Sequence, residues 1–145
     1  MQVKNFRCQC PTTSAIDVLG DRWSLVIIKQ MLFELKSTFK QFSESDEAIA
    51  SNMLTTRLKK LEEFGIISKY KLPNNQKTVH YELTKKGLAL GPTLIELSVW
   101  SQEHLKENHP NLNLVEINLD NSTLKNQVEQ KYRDFHSTQK QGLSF

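Results

Sequence analysis

The sequence predicts a mainly α-helical fold with one small β-hairpin, a winged helix-turn-helix flanked by N- and C-terminal dimerisation helices. Three observations carry this. Between Phe39 and Leu83 a short amphipathic helix, an acidic turn and a longer helix lead into two alternating strands around a polar loop. The longer helix places Leu54, Leu58 and Leu61 on one stripe at the helical period and sets basic and hydroxyl side chains outside it. Charge is segregated too: residues 51–90 hold eight Lys and Arg against three Glu, a net +5, in a chain of +3 overall, so the remainder is −2. A basic block on a near-neutral body is the electrostatic footprint of a nucleic-acid face.

At 145 residues the chain can bury one core and leaves no room for a second full domain. Residues 8–105 form the winged-helix unit with its dimerisation helices. Residues 106–145 form an extension expected to contain one helix packed on the domain or on a partner. The longest apolar run, Trp23 to Leu35, is interrupted by Lys29, Gln30 and Glu34 and falls short of the roughly 18 to 20 residues of a membrane span. The segment Met1 to Arg7 lacks a secretory signal, which points to the cytoplasm, where two cysteines are expected as thiols.

The elements follow in order. Pro11 suits a first helical position, since its missing donor costs nothing there, and that helix runs to Leu19 before Gly20-Asp21. Trp23 to Leu35 is apolar around most of its circumference, as befits a central helix. Ser37 or Thr38 caps a short helix bearing Phe39 and Phe42. The turn Ser43 to Glu47 would repel phosphate and must face away from any nucleic acid. On the next helix Ser51, Asn52, Thr55, Thr56, Arg57, Lys59 and Lys60 lie outside the leucine stripe. Arg pairs with guanine edges, Asn with adenine, Thr with a thymine methyl, and Lys or Ser with phosphate. The alternative is a solvated helix whose basic end suits the macrodipole. Arg57 is also within reach of Glu44, Asp46 or Glu47, where it would hold the turn.

Gly65 closes this helix in a left-handed conformation. Ser68 to Leu72 and Thr78 to Leu83 alternate as strands about the loop Pro73 to Lys77, with Lys69 and Lys71 on one face and Lys77 at the loop's end. A plain surface hairpin is the alternative. Thr84 caps a helix through Leu88 to Leu105, kinked near Gly91-Pro92. Its apolar load marks a dimer element with Leu94, Leu97 and Trp100 as anchors, or a helix packed on its own domain. Leu112, Leu114, Ile117 and Leu119 suggest an extended segment. Leu124, Val128, Tyr132 and Phe135 form a helical stripe, and the last nine or ten residues are expected to fray.

No catalytic residue, cofactor or metal site is expected: there is no glycine-rich phosphate loop, no His-Glu-x-x-His and no nucleophile motif. Glu103-His104 is an isolated pair, and Cys8-x-Cys10 has no second ligand pair, since His80, His104, His109 and His136 are scattered.

Taken together, Cys10-Pro11, Val18 to Ile27 with its Gly20-Asp21-Arg22-Trp23, Phe39 to Phe42, Ile49 to Ile67 and Tyr81-Glu82-Leu83-Thr84 with Gly87 resemble the HxlR-type winged-helix transcriptional regulators over residues 8–105. The resemblance implies a symmetric homodimer with recognition helices in successive major grooves of double-stranded DNA, wings beside them, and control of transcription near the binding site; a repressor on a palindromic operator is the functional expectation, although the sequence itself does not separate repression from activation. It places Ser51, Asn52, Thr55, Thr56 and Arg57 on the recognition helix and Lys69, Lys71 and Lys77 on the wing. Two departures stand out. Ala50 replaces a Ser that would cap the helix, worth about 1 kcal/mol, and the turn Ser43 to Glu47 lacks a Pro-Gly. Some relatives sense oxidants or electrophiles through a cysteine just before the first helix, a position Cys10 matches. A helix N-terminus favours a thiolate by roughly 0.3 to 1 kcal/mol, and Arg7 would add positive charge. Cys10 as a packed residue without a sensing role, and Cys8 as the reactive thiol, are the alternatives. The sequence names no effector. A winged-helix module for RNA or protein without operator binding is the other functional reading.

Overall fold

A computed structural model describes residues 6–113 and 121–142 of the chain. Helix α1 (Pro11–Leu19) starts at the proline, and Cys10 precedes it in an extended conformation as N-cap. Asp21 turns the chain into α2 (Ser24–Glu34): its carboxylate accepts from the Trp23 and Ser24 amides, both at 2.8 Å. Helix α2 is the central element, with Ile27, Ile28, Met31, Leu32 and even Gln30 buried. Thr38, not Ser37, caps α3 (Phe39–Ser43) in a reciprocal capping box with Gln41.

Helix α4 (Ser51–Glu63) turns Leu54, Leu58 and Leu61 into the core and leaves the other flank open. It ends in a Schellman arrangement, in which the Gly65 amide donates to Glu62 O and the Ile66 amide to Leu61 O, both at 2.9 Å. Gly65 has φ 70°, as its position requires.

Strands β1 (Ile67–Leu72) and β2 (Asn75–Leu83) pair antiparallel, with an irregularity at Lys71/Leu72. The connection is shorter than the sequence implies, because Asn75, Gln76 and Lys77 belong to β2. Asn75 Oδ1 accepts from the Lys77 and Thr78 amides, and Gln76 Nε2 donates to Leu72 O, so local side chains tighten the end of the hairpin. Register puts Lys69 opposite Tyr81 and Lys71 opposite Val79 on one sheet face, and Tyr70 opposite His80 and Ser68 opposite Glu82 on the other. The outer edge of β2 meets the α2–α3 link, where the Tyr81 amide donates to Ser37 O at 2.7 Å and Thr38 bridges to His80.

The single kinked helix expected through Leu88 to Leu105 is two helices, α5 (Lys85–Leu88) and α6 (Gly91–His104). Pro92 has no N–H to return to the Leu88 carbonyl, so the helical ladder breaks between them. Helix α7 (Asn121–Lys140) packs against α2 and α6 of the same chain. Its C-terminal turn is not frayed, since His136, Gln139 and Lys140 reach the wing. Of the segment read as extended, Leu114, Ile117 and Leu119 lie outside the described residues.

Candidate nucleic-acid interface

Ser51, Asn52, Thr55, Thr56 and Lys59 form the exposed flank of α4. Ala50 supplies no side-chain cap, and the Asn52 carboxamide oxygen instead accepts from the Met53 amide at 2.9 Å, leaving the amide nitrogen to donate elsewhere. Thr55 Oγ1 donates to Ser51 O at 2.9 Å and Thr56 Oγ1 to Asn52 O at 2.8 Å. With both hydroxyl protons spent on the backbone, these threonines offer chiefly their methyl groups to a partner.

A groove of about 320 Å³ joins this flank to the wing, lined by Phe39, Thr55, Leu58, Lys59, Glu62, Lys69 and Tyr81. Lys69 reaches across it to Glu62 at 3.3 Å, while Lys71 and Lys77 project as exposed cations.

Arg57 and Lys60 do not join the exposed flank. Arg57 Nε lies 3.0 Å from Asp21 Oδ1, an ion-pair contact without hydrogen-bond alignment, and its side chain is only 22% exposed. Lys60 Nζ donates to Asp17 O at 3.3 Å and lies 3.7 Å from Asp21 Oδ2. Both turn toward the α1–α2 corner, which sits beneath their side of α4. Burial pushes the Asp21 carboxyl up, but hydrogen bonds from the Ser24 hydroxyl and the Trp23 and Ser24 amides, with the Arg57 charge, outweigh it and hold the pKa below the usual range. Sequence reading missed Asp21 as the partner: it placed Gly20-Asp21 at the end of the first helix, and nothing local to Asp21 points to a cation 36 positions away.

The acidic turn offers Arg57 no partner, since Glu47 binds Lys29 and accepts from Gln30 Nε2 at 2.7 Å. Desolvation raises the Glu47 pKa, yet Lys29, its own amide and Gln30 win and bring it down to about 2. Its charge is therefore neutralised inside the domain, against α2.

Cys8 and Cys10 are both exposed thiols. Hydrogen bonding from the Thr13 amide, then the Thr13 hydroxyl and the Thr12 amide, lowers the Cys10 pKa, as a helix N-terminus should. Arg7 contributes nothing there: its guanidinium is 2.6 Å from Asp17 Oδ1. Of the three expected dimer anchors, Leu94 belongs to the protomer's own core, beyond a partner's reach, because the break before α6 turns it against α2 and α7. Leu97, beside Leu94 around α6, and Trp100 one step further round stand 47% and 54% exposed, and Ile16 of α1 is 53% exposed.

The HxlR-like helix-turn-helix family model matches residues 18–109. The chain belongs to this family. The HTH-type transcriptional regulator YvaP of Bacillus subtilis (strain 168) is 36% identical over 98 residues, spanning 65% of this chain and 87% of YvaP. YodB, an HTH-type transcriptional regulator of the same strain, is 37% identical over 95 residues, spanning 65% and 84%. The reduced form of YodB superposes with TM-score 0.56 at 34% identity, covering 69% of this chain and 98% of that one. The redox regulator HypR in its oxidised form gives TM-score 0.56 at 28% identity, over 66% and 97%. Within the HxlR-like frame the matched segment begins in α1 and ends after α6, so α7 lies outside it. No helix among the described residues is long and apolar enough to cross a membrane.

Proposed function

We propose that the chain is a cytoplasmic, sequence-specific transcriptional repressor that binds a palindromic duplex operator as a homodimer and responds to oxidants or electrophiles through Cys10. The surface joining the exposed flank of α4 to the wing carries this reading. Asn52 supplies a base-edge donor through its amide nitrogen, Thr55 and Thr56 supply methyls, and Ser51, Lys59, Lys71 and Lys77 supply phosphate contacts. Arg57 and Lys60 serve to seat α4 on the domain. Ile16, Leu97 and Trp100 are large exposed apolar groups on the two helices that a two-fold contact would use, which sets half-sites about one helical turn, roughly 34 Å, apart.

The thiol part of the reading rests on the exposed Cys10 at an amide-rich helix start, and on relatives solved as quinone-bound and diamide-treated YodB and as redox regulator HypR. In vitro selection with purified protein, followed by titration of the selected duplex, a random duplex and RNA, tests the whole. Selective binding to one duplex supports the reading, and equal or stronger binding to RNA replaces it. Diamide or a quinone should change affinity for the selected duplex, and Cys10→Ser should abolish the change. Loss of the response in Cys8→Ser alone would move the sensor to Cys8.

A further inference from the structure

A two-stranded hairpin is marginally stable alone, so its orientation depends on what packs against it. On the α4 side Lys69 of the wing pairs with Glu62 in an exposed contact. The opposite sheet face is the one that Tyr70, His80 and Glu82 share, and α7 covers it. Tyr132 Oη accepts from the Leu83 amide at 2.6 Å in a buried contact at the root of β2. Tyr70 Oη donates to Gln139 Oε1 at 2.7 Å and lies 2.9 Å from His136 Nδ1. Since the phenol has one proton and gives it to Gln139, Nδ1 of His136 carries the hydrogen and donates back to Tyr70. Lys140 Nζ pairs with Glu82 Oε1 at 2.5 Å and sits 4.8 Å above the Tyr70 ring. Beyond this layer Tyr70 stacks on His80, with centroids 5.2 Å apart and planes 17° apart, and His80 Nδ1 is 3.0 Å from Ser37 Oγ in the α2–α3 link.

We propose that α7 is a brace for the wing: Tyr132, His136, Gln139 and Lys140 are positioning residues that hold the hairpin from behind, so that Lys71 and Lys77 meet a duplex at a fixed angle to α4. The function served rests on the DNA-binding reading above; the bracing itself does not. The matched family segment stops at residue 109, so the brace is an addition to the winged helix, not a part of it. Its logic is that ordering a wing in advance spares the entropy of ordering it on binding.

The test compares the full chain with its Tyr70→Phe/Tyr132→Phe form, which keeps both rings and removes only the hydroxyls. Amide hydrogen exchange without DNA should quicken at Leu83 and along the hairpin by at least roughly fivefold, the factor one ordinary hydrogen bond supplies, while the Leu54 and Leu58 amides of α4 hold their rates. In duplex titrations the salt slope should fall toward that of Lys71→Gln/Lys77→Gln, which a purely global loss of stability would not produce. Should the double variant fail to fold, Gln139→Ala with Lys140→Ala at the end of α7 gives the milder version of the same comparison. Hairpin amides that exchange at the wild-type rate, or that quicken only in step with α4, overturn the brace. Quickened hairpin exchange with an unchanged slope overturns its role in DNA contact. A wild-type chain that binds no duplex sinks the DNA-binding reading, and the exchange comparison still decides the brace.

Discussion

His136 is buried to 4% side-chain exposure, and its Nε2 has no hydrogen-bond partner among the described residues. Burial depresses its pKa to about 4, with the Glu82 carboxylate 4.0 Å away opposing and Lys140 and His80 assisting. Between pH 6.5 and 4 the unfolded chain therefore holds a proton that the folded chain refuses. The associated stability is complete above pH 6.5 and drains away as pH falls to about 4, by on the order of 3 kcal/mol. Denaturant melts across that range should show this slope, and His136→Phe should flatten it. Arg57 makes a different kind of contribution. Arg57→Ala is expected to cost about 1 kcal/mol of stability by removing the nearer of the two cations beside Asp21 and to weaken selected and random duplexes alike. Asn52→Ala should lose roughly 1 to 3 kcal/mol on the selected duplex only. Residue types in residues 51–60 suggested a nucleic-acid-binding helix, yet they could not say which cations face outward. Leu58 points inward, and its neighbour Arg57 lies close enough to that boundary for Asp21, thirty-six positions away, to capture it.

At the scale of elements, three different signals located three helices: Pro11 and Gly20-Asp21 bounded α1, an apolar run around most of the circumference marked α2, and the Leu54, Leu58, Leu61 stripe marked α4. Periodicity overestimated the hairpin loop, since the irregularity at Lys71/Leu72 and the Asn75 and Gln76 side-chain bonds leave no periodic trace. It also undercounted α7, whose last turn is ordered by Tyr70 and Glu82, far away in sequence. The turn before α4 lacks the glycine expected from relatives, and Ala48 adopts φ 55° there while exposed. A left-handed alanine costs about 1 to 2 kcal/mol, and glycine would return about 0.5 to 1 of that through its unfolded freedom. Ala48→Gly should therefore stabilise the protein by about 0.5 kcal/mol in thermal melts. A marked loss instead would show that this turn is not held as described.

At the scale of the whole molecule, the basic block of residues 51–90 was legible as charge segregation, but which side chains of α6 stay exposed depended on three-dimensional packing. Leu94 and Leu97 are neighbours three residues apart on α6, yet Leu94 is buried in the protomer's core and Leu97 is left exposed. Leu97→Glu with Trp100→Glu should leave the protomer folded, shift sedimentation toward monomer and lower operator affinity at least tenfold, because a lone half-site loses its linked partner. A chain already monomeric at micromolar concentration would contradict that assembly. On the wing, Lys71→Gln with Lys77→Gln should reduce the salt slope of duplex binding by up to about 1.8, at about 0.9 for each phosphate that is no longer neutralised. If α4 and the wing meet a duplex together, amide chemical shifts on titration with the selected duplex will report both at once. Shifts should cluster on Ser51 to Lys59 and on Lys71 to Lys77, with the α7 backbone little changed. Shifts centred on α6, on α7 or on the α1 terminus, with α4 silent, would contradict this joint contact.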